Sequence, residues 1–291
     1  MSTLREIKQR IGSVKNISQV TNAMQLVAAS RMKKTQDNAA RGKLYANKLY
    51  DVMLNLSKDA TSVTNPFIDI KYSDSTNVMF IVFSTQRGLA GGLPSNLLKL
   101  AVKKTQDYEN KGKKVQFVTI GKKLRDQLLS RGLNVVADFS DMPETPTTSD
   151  IQPITRLITQ SYLAKEVGEI IILYADFINS MIQEAKTLKL LPLEISDFES
   201  QELTNKTIPS GVLFEPDEET ILQTLVPTYI ETQLFQKRLE TVASEYSSRM
   251  MAMRAATDNA KEIMGDLQIE FNKKRQAAIT QELAEINGGR I

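Results

Sequence analysis

The stretch Ile7–Ala28, IKQRIGSVKNISQVTNAMQLVA, carries apolar or small side chains at Ile7, Ile11, Val14, Ile17, Thr21, Met24 and Ala28. Their spacing, in steps of three and four, lies close to the 3.5-residue period of a coiled coil. Towards the other end, Val242, Tyr246, Met250, Met253, Ala256, Ala260, Met264, Leu267 and Phe271 repeat in the same way. All nine prolines fall between Pro66 and Pro227, so the first 65 and last 64 residues have none. A proline inside a helix removes a hydrogen bond and clashes with the preceding turn, so both ends are free to run as long helices. Thr3 and Glu6 are spaced as a capping box at the first helix start, and Gly288-Gly289 suits the last stop. Gly12, Gly42 and Gly265 are the weak points, each costing about 1 kcal/mol against alanine.

A helix of about 55 residues is about 80 Å long. A compact globule of this chain length has a radius of gyration of roughly 19 Å. Such helices protrude, and each apolar stripe needs a partner. The spacing predicts that residues 1–65 and 228–291 pair as an antiparallel coiled coil. The competing arrangement is two separate bundles with hidden helix breaks.

Residues 66–227 read differently. Asn77–Ser84 (NVMFIVFS), Val115–Ile120 (VQFVTI), Leu133–Phe139 and Glu169–Phe177 (EIIILYADF) have strand patterns, and Ser180–Leu191 is a weaker fifth. Between them Pro94–Tyr108, Gly121–Arg131 and Ile151–Lys165 read as helices, with 140–150 and 197–220 as loops. Alternating strands and helices predict an α/β domain, a Rossmann-like, mainly parallel sheet with flanking helices.

Composition narrows the chemistry. The 291 residues include no cysteine, histidine or tryptophan. Disulfides, thiol catalysis, Ser-His-Asp triads and Cys/His metal centres are excluded. Hydrophobic residues make up 41% and charged residues 24%, the balance of a folded, soluble chain. The longest apolar runs, Val78–Phe83 and Ile170–Ala175, are far shorter than the roughly 20 residues of a membrane span. The opening MSTLREIKQR lacks a signal-peptide core. Charge is uneven: residues 1–48 hold ten Lys or Arg against Glu6 and Asp37. A basic helix suits an acidic partner surface or is simply solvated.

One stretch has the position of a phosphate loop. Arg87–Asn96, RGLAGGLPSN, follows a strand and opens a helix. It lacks both G-x-G-x-x-G and G-x-x-x-x-G-K-[ST]. Gly88, Gly91 and Gly92 are therefore expected to build a tight turn and no cofactor site.

These segments together resemble the gamma subunit family of F-type ATP synthases over the whole chain. Ile7–Lys34 (IKQRIGSVKNISQVTNAMQLVAASRMKK) is similar to the family's opening helix, and RGLAGGLPSN to its strand-to-helix turn. MMAMRAATDNAKE and NKKRQAAITQELAEI are similar to its closing helix, the last being the most specific. Ala90 stands where many members carry cysteine. The resemblance implies a central rotor shaft that transmits torque and performs no chemistry of its own, with no cofactor and no metal. Its implied partners are three alpha and three beta subunits around one such chain, the epsilon and delta subunits and the membrane c-ring, with no nucleic acid.

The resemblance places contacts with alpha and beta subunits at Arg275, Gln276, Thr280, Gln281 and Glu282, and on the first helix at Met24, Arg31, Lys33 and Lys34. Ala277, Ala278 and Ala284 keep the tip slim. A rough register sets the zone around Ile17 beside Met253. The implied location is the cytoplasmic face of the plasma membrane, or the matrix side of the mitochondrial inner membrane. Two other readings are a nucleotide-binding enzyme with a coiled-coil appendage and a basic tether for nucleic acid. The first lacks a phosphate loop, and the second lacks aromatic residues among its basic ones.

Overall fold

The computed structural model describes residues 3–59, 67, 75–144, 146–193 and 218–288. The elements in order are α1 (Leu4–Asp59), β1 (Asn77–Phe83), α2 (Leu93–Glu109), β2 (Lys114–Ile120), α3 (Lys122–Leu129), β3 (Val135–Asp138), α4 (Thr148–Leu163), β4 (Glu169–Phe177), β5 (Gln183–Leu191) and α5 (Glu218–Gly288). The chain divides into two units. One is Met1–Ser30 with Arg249–Ile291, and the other is Arg31–Ser248.

In the second unit the five strands lie in the order β3-β2-β1-β4-β5. β1 pairs in parallel with β2 and β4, β2 with β3, and β5 runs antiparallel to β4. β1 is apolar at nearly every position because both faces are covered. Met79, Ile81 and Phe83 point to one face, where Ile151, Ile154 and Ile158 of α4 meet Val226, Ile230 and Leu234 of α5. Val78, Phe80 and Val82 point to the other, against Leu97 and Ala101 of α2 and Leu124 and Leu128 of α3. The helices thus sandwich the sheet, as the alternation of elements predicts.

β5 is shorter than the expected Ser180–Leu191. Asn179 Oδ1 accepts hydrogen bonds from the Met181 and Ile182 amides at 2.8 and 2.9 Å, turning 178–182 into the hairpin. α4 starts earlier than Ile151, because Thr147 and Asp150 form a capping box inside the expected loop 140–150. Of the other expected loop, 197–217 lies outside the described residues, while 218–220 already belongs to α5. α5 also begins before residue 228 and holds Pro227 in its third turn.

α1 starts as expected: Thr3 N–H donates to Glu6 Oε2 at 3.0 Å and Glu6 N–H to Thr3 Oγ1 at 3.3 Å. Its packed seam departs from the expected stripe at two points, Ser18 in place of Ile17 and Gln25 in place of Met24, although Met24 is itself half-buried. Ile7, Ile11, Val14, Ser18, Thr21, Gln25, Ala28, Met32, Thr35, Ala39, Gly42, Ala46 and Leu49 are all buried or half-buried. These positions alternate steps of four and three without a break. Ile17 would require two threes in succession, which drifts off the seam. It is 54% exposed, whereas Ser18 is buried. On α5 the seam runs through Met253, Thr257, Ala260, Met264, Leu267, Phe271, Lys274 and Ala278 in the same alternation.

The two helices run antiparallel. Within the second unit Arg31 meets Tyr246 and Ala39 meets Gln236, one number rising as the other falls. Within the first unit Thr21 Oγ1 lies 2.7 Å from Thr257 Oγ1. That pair sets Met253 level with Gln25, about one heptad from the expected Ile17.

Candidate functional site

In a sheet of this order, the chain leaves β1 towards β2 on one side and returns to β4 on the other. The crevice between the carboxyl ends of β1 and β4 is where doubly wound folds hold ligands. Here α5 occupies it. β1 pairs with β4 only as far as Val82 and Leu173. Beyond that point Thr241 and Ser244, one helical turn apart on α5, replace the missing strand. Ala175 N–H donates to Thr241 Oγ1 at 3.2 Å, and Ser244 Oγ donates to Ala175 O at 3.1 Å. Ser247 Oγ donates to Ser180 O at 2.8 Å and Ser248 Oγ to Ala90 O at 2.6 Å. A row of hydroxyls on TVASEYSS (241–248) thus fastens the helix to the carboxyl end of β4 and the loops beside it.

Arg238 enters the same crevice with its side chain fully buried. Its Nη1 reaches Ser84 O at 3.4 Å, while Nε and Nη2 have no hydrogen-bond partner. Burial pulls its pKa below the ordinary value, against support for the charge from Glu245, Glu144 and Tyr246. Gly121, opening α3, touches the same carbonyl from the other side. Its φ is +119°, and a Cβ there would stand 2.4 Å from Ser84 O. Only glycine fits that approach.

The 87–96 turn lies beside them. Gly91 takes the left-handed conformation, φ +56°, and so does Leu89, φ +62°. Gly92 has φ −83° and caps α2, and a Cβ on Gly88 would meet only Lys123 Cε at 3.9 Å. Of the three glycines grouped as the turn, Gly91 alone has a positive φ. Ala90 is buried, and its carbonyl is taken by Ser248. The turn is thereby held to α5 through Ala90, while Arg87, Gly88, Leu89, Gly91 and Gly92 stay exposed.

Arg31 is the one basic α1 residue of the expected contact set for which an ion pair is seen. Its Nη1 donates to Tyr246 Oη at 2.9 Å and also bonds Glu144, and its guanidinium lies 5.8 Å from the Tyr246 ring centre. Tyr246 donates its hydroxyl to Glu144. Arg87 Nε stands 3.7 Å from the same carboxylate. Burial, with Glu144 beside it, raises the tyrosine pKa, and the tyrosine and Glu144 raise that of Arg31. Arg31 therefore ties α1 to α5 and to the loop before α4.

The remaining expected contact residues do not converge. Met24 is half-buried, while Lys33 and Lys34 are exposed. Arg275, Gln276, Thr280, Gln281 and Glu282 are all exposed on α5. At 3.6 residues per turn Arg275 and Glu282 share one line of the helix, Gln276 and Thr280 lie about 100–140° to one side of it, and Gln281 lies about 120° to the other. Thr280 Oγ1 donates to Gln276 O at 2.9 Å, and Gln281 Nε2 to Glu285 Oε1 at 3.0 Å. Among the described residues no group of three or more acidic side chains could hold a metal ion. Arg238, Glu144, Thr241 and Ser244 escape sequence reading. The only trace is the hydroxyls of 241–248, three to four residues apart on a stretch also read as an apolar stripe.

A family profile described as ATP synthase matches residues 3–290. The chain is 37% identical over 289 residues to the ATP synthase gamma chain of Roseiflexus castenholzii, covering 99% of this chain and 98% of that one. It is 34% identical over 289 residues to that of Legionella pneumophila (strain Corby), covering 99% of each. Among solved structures, the rotor of the Euglena gracilis mitochondrial ATP synthase aligns with a TM-score of 0.63 at 17% identity, covering 95% of this chain and 98% of that one. The central stalk of the Tetrahymena thermophila mitochondrial enzyme aligns with a TM-score of 0.57 at 19% identity, covering 81% and 99%. These two structures share the fold.

Proposed function

The chain belongs to the ATP synthase gamma chain family, and from that premise we propose that it is the central-stalk rotor coupling ion translocation to ATP synthesis and hydrolysis. The family match along 3–290 carries the reading. The outer faces of the paired helices support it. Val20, Leu26 and Val27 on α1 and Ile263, Ile269, Ile279 and Leu283 on α5 are 48–63% exposed. Bare apolar side chains at this density suit a close-fitting sleeve. That sleeve is three alpha and three beta subunits around one copy of this chain. Each face of the asymmetric shaft then favours one conformer of the neighbouring catalytic pair, so rotation shifts populations in sequence.

The chain itself makes and breaks no bonds in this scheme. Its ligand crevice is filled by α5, and nucleotide chemistry falls to the alpha and beta subunits. Arg275, Gln276, Thr280, Gln281 and Glu282 meet a beta-subunit loop, with Met24, Lys33 and Lys34 on the opposite helix. The sheet-bearing unit meets the epsilon subunit and the c-ring, and the delta subunit belongs to the same complex. The location is the cytoplasmic face of a bacterial plasma membrane. No helix among the described residues is long and apolar enough to cross a membrane, so attachment runs through other subunits.

Co-expression with cognate alpha and beta subunits tests the assembly: one copy of this chain is recovered per three of each. The purified chain hydrolyses no ATP and activates an alpha–beta mixture when added. Turnover by the chain alone, persisting through further purification, would overturn the non-catalytic role.

A further inference from the structure

A cavity of about 360 Å³ opens in the Arg31–Ser248 unit between α1, the start of α4 and α5. Its size falls within the range of small-molecule sites. It lies apart from the crevice and from the coupling contacts described above. Its polar groups are unusual in kind. Gln236 is 4% exposed, and its Nε2 donates to Ala39 O and to Glu240 Oε1, both at 3.1 Å. Both partners are acceptors, so the amide is fixed in orientation and its oxygen is turned the other way. That oxygen lies against Gly42, only 2.7 Å from where a Cβ would stand, and both residues line the cavity. It has no hydrogen-bond partner.

Glu231 Oε1, on the same wall, is buried and equally without a hydrogen bond. Thr228 and Thr232 have already committed their protons to the carbonyls one turn back, at 3.0 and 2.7 Å. What they offer the cavity is lone pairs. All four of these α5 side chains are acceptors, one carries a negative charge, and Tyr45 and Phe235 supply aromatic wall. Burying unpaired acceptors is costly, and a donor-rich guest removes that cost.

We propose that this cavity is a binding site for a small organic monocation, an ammonium on an apolar stem. The ammonium takes Glu231 Oε1 and Gln236 Oε1, its charge-assisted bonds being stronger than neutral ones. The stem lies on Tyr45 and Phe235, where a cation is also drawn to the ring faces. Gly42 is required for the amide oxygen to stand where it does.

The probe is 2-phenylethylammonium, titrated into the full chain by calorimetry, with 2-phenylethanol and 3-phenylpropionate as matched neutral and anionic shapes. The ammonium binds saturably, and both matched shapes bind at least about tenfold more weakly, the loss expected for a bond to a charged group. Glu231→Gln keeps the shape and weakens the ammonium by about tenfold. Glu262→Gln, which removes one exposed acid from the other unit, leaves it unchanged. Three results would overturn the site: no saturable binding in the millimolar range, equal affinity for the alcohol and the ammonium, or equal effects of the two substitutions. The comparison of the three probes on the unaltered chain decides the matter even if Glu231→Gln misfolds.

Discussion

Two stretches of α5 solve different problems within one helix. From Thr241 to Ser247 every residue is buried, polar ones included, whereas from Ile279 to Glu285 every residue is exposed. The first stretch belongs to a sheet's core and must answer backbone groups on several sides. The second lies beyond the seam, which ends at Ala278, and packs against no other part of its own chain among the described residues. Apolar periodicity is a fair guide where a helix has one partner. It fails where the helix is surrounded, because small hydroxyl side chains then do the work of both packing and hydrogen bonding.

The largest way to break this contrast is Arg238→Ala. It empties a large buried volume and removes the cation facing Ser84 O, and it should lower the unfolding free energy of the sheet-bearing unit by about 3 kcal/mol. Arg238→Met keeps the volume and removes two unpaired donors, and should stay within about 1 kcal/mol of the parent. Urea denaturation followed by tyrosine fluorescence separates the two, and equal losses would show that the charge itself holds the crevice. Next comes Thr241→Val with Ser244→Ala, which strips the Ala175 N–H and C=O of their partners. The loss should be about 2 kcal/mol, with faster amide exchange confined to the end of β4.

Between the two stretches Ala260, 4% exposed, marks a tight point of the seam. Ala260→Leu overpacks it and should cost about 1–2 kcal/mol, read from the helical signal on heating. The smallest stability effect belongs to Arg275→Ala, within about 0.5 kcal/mol. Its consequence is functional: proton-driven ATP synthesis in reconstituted vesicles falls several-fold per assembled complex. Arg41→Ala, at an exposed position, serves as the control. Equal synthesis rates for the two would leave the shaft's shape to act without that contact.

Sequence reading recovers what local chemistry specifies. The Thr3–Glu6 cap, the parallel strands and the two long terminal helices all depend on neighbours in the chain or on simple alternation. The seam is legible to within one residue. Ile17 looks a better core residue than Ser18, but an unbroken alternation of fours and threes puts the serine inside. Register is not legible, since many offsets satisfy two similar stripes, and the Thr21–Thr257 pair decides it. The crevice is the least legible part. Arg238, Glu144 and Ala175 are far apart in sequence, and a lone arginine on a helix reads as solvated until the fold surrounds it.

The filling of the sheet by α5 also dictates an order of events during synthesis. Val226, Ile230 and Leu234 complete the apolar face built by β1, β2 and β4, and Thr241 and Ser244 satisfy the backbone of Ala175 where β4 runs past β1. All of them leave the ribosome after every strand has done so. For that interval a finished set of strands presents an uncovered apolar face and unpaired backbone groups at the end of β4, a combination prone to aggregate. The last quarter of the chain is therefore the sheet's own intramolecular chaperone. A nascent chain stopped before residue 226 should bind holding chaperones, and one released after residue 248 should not.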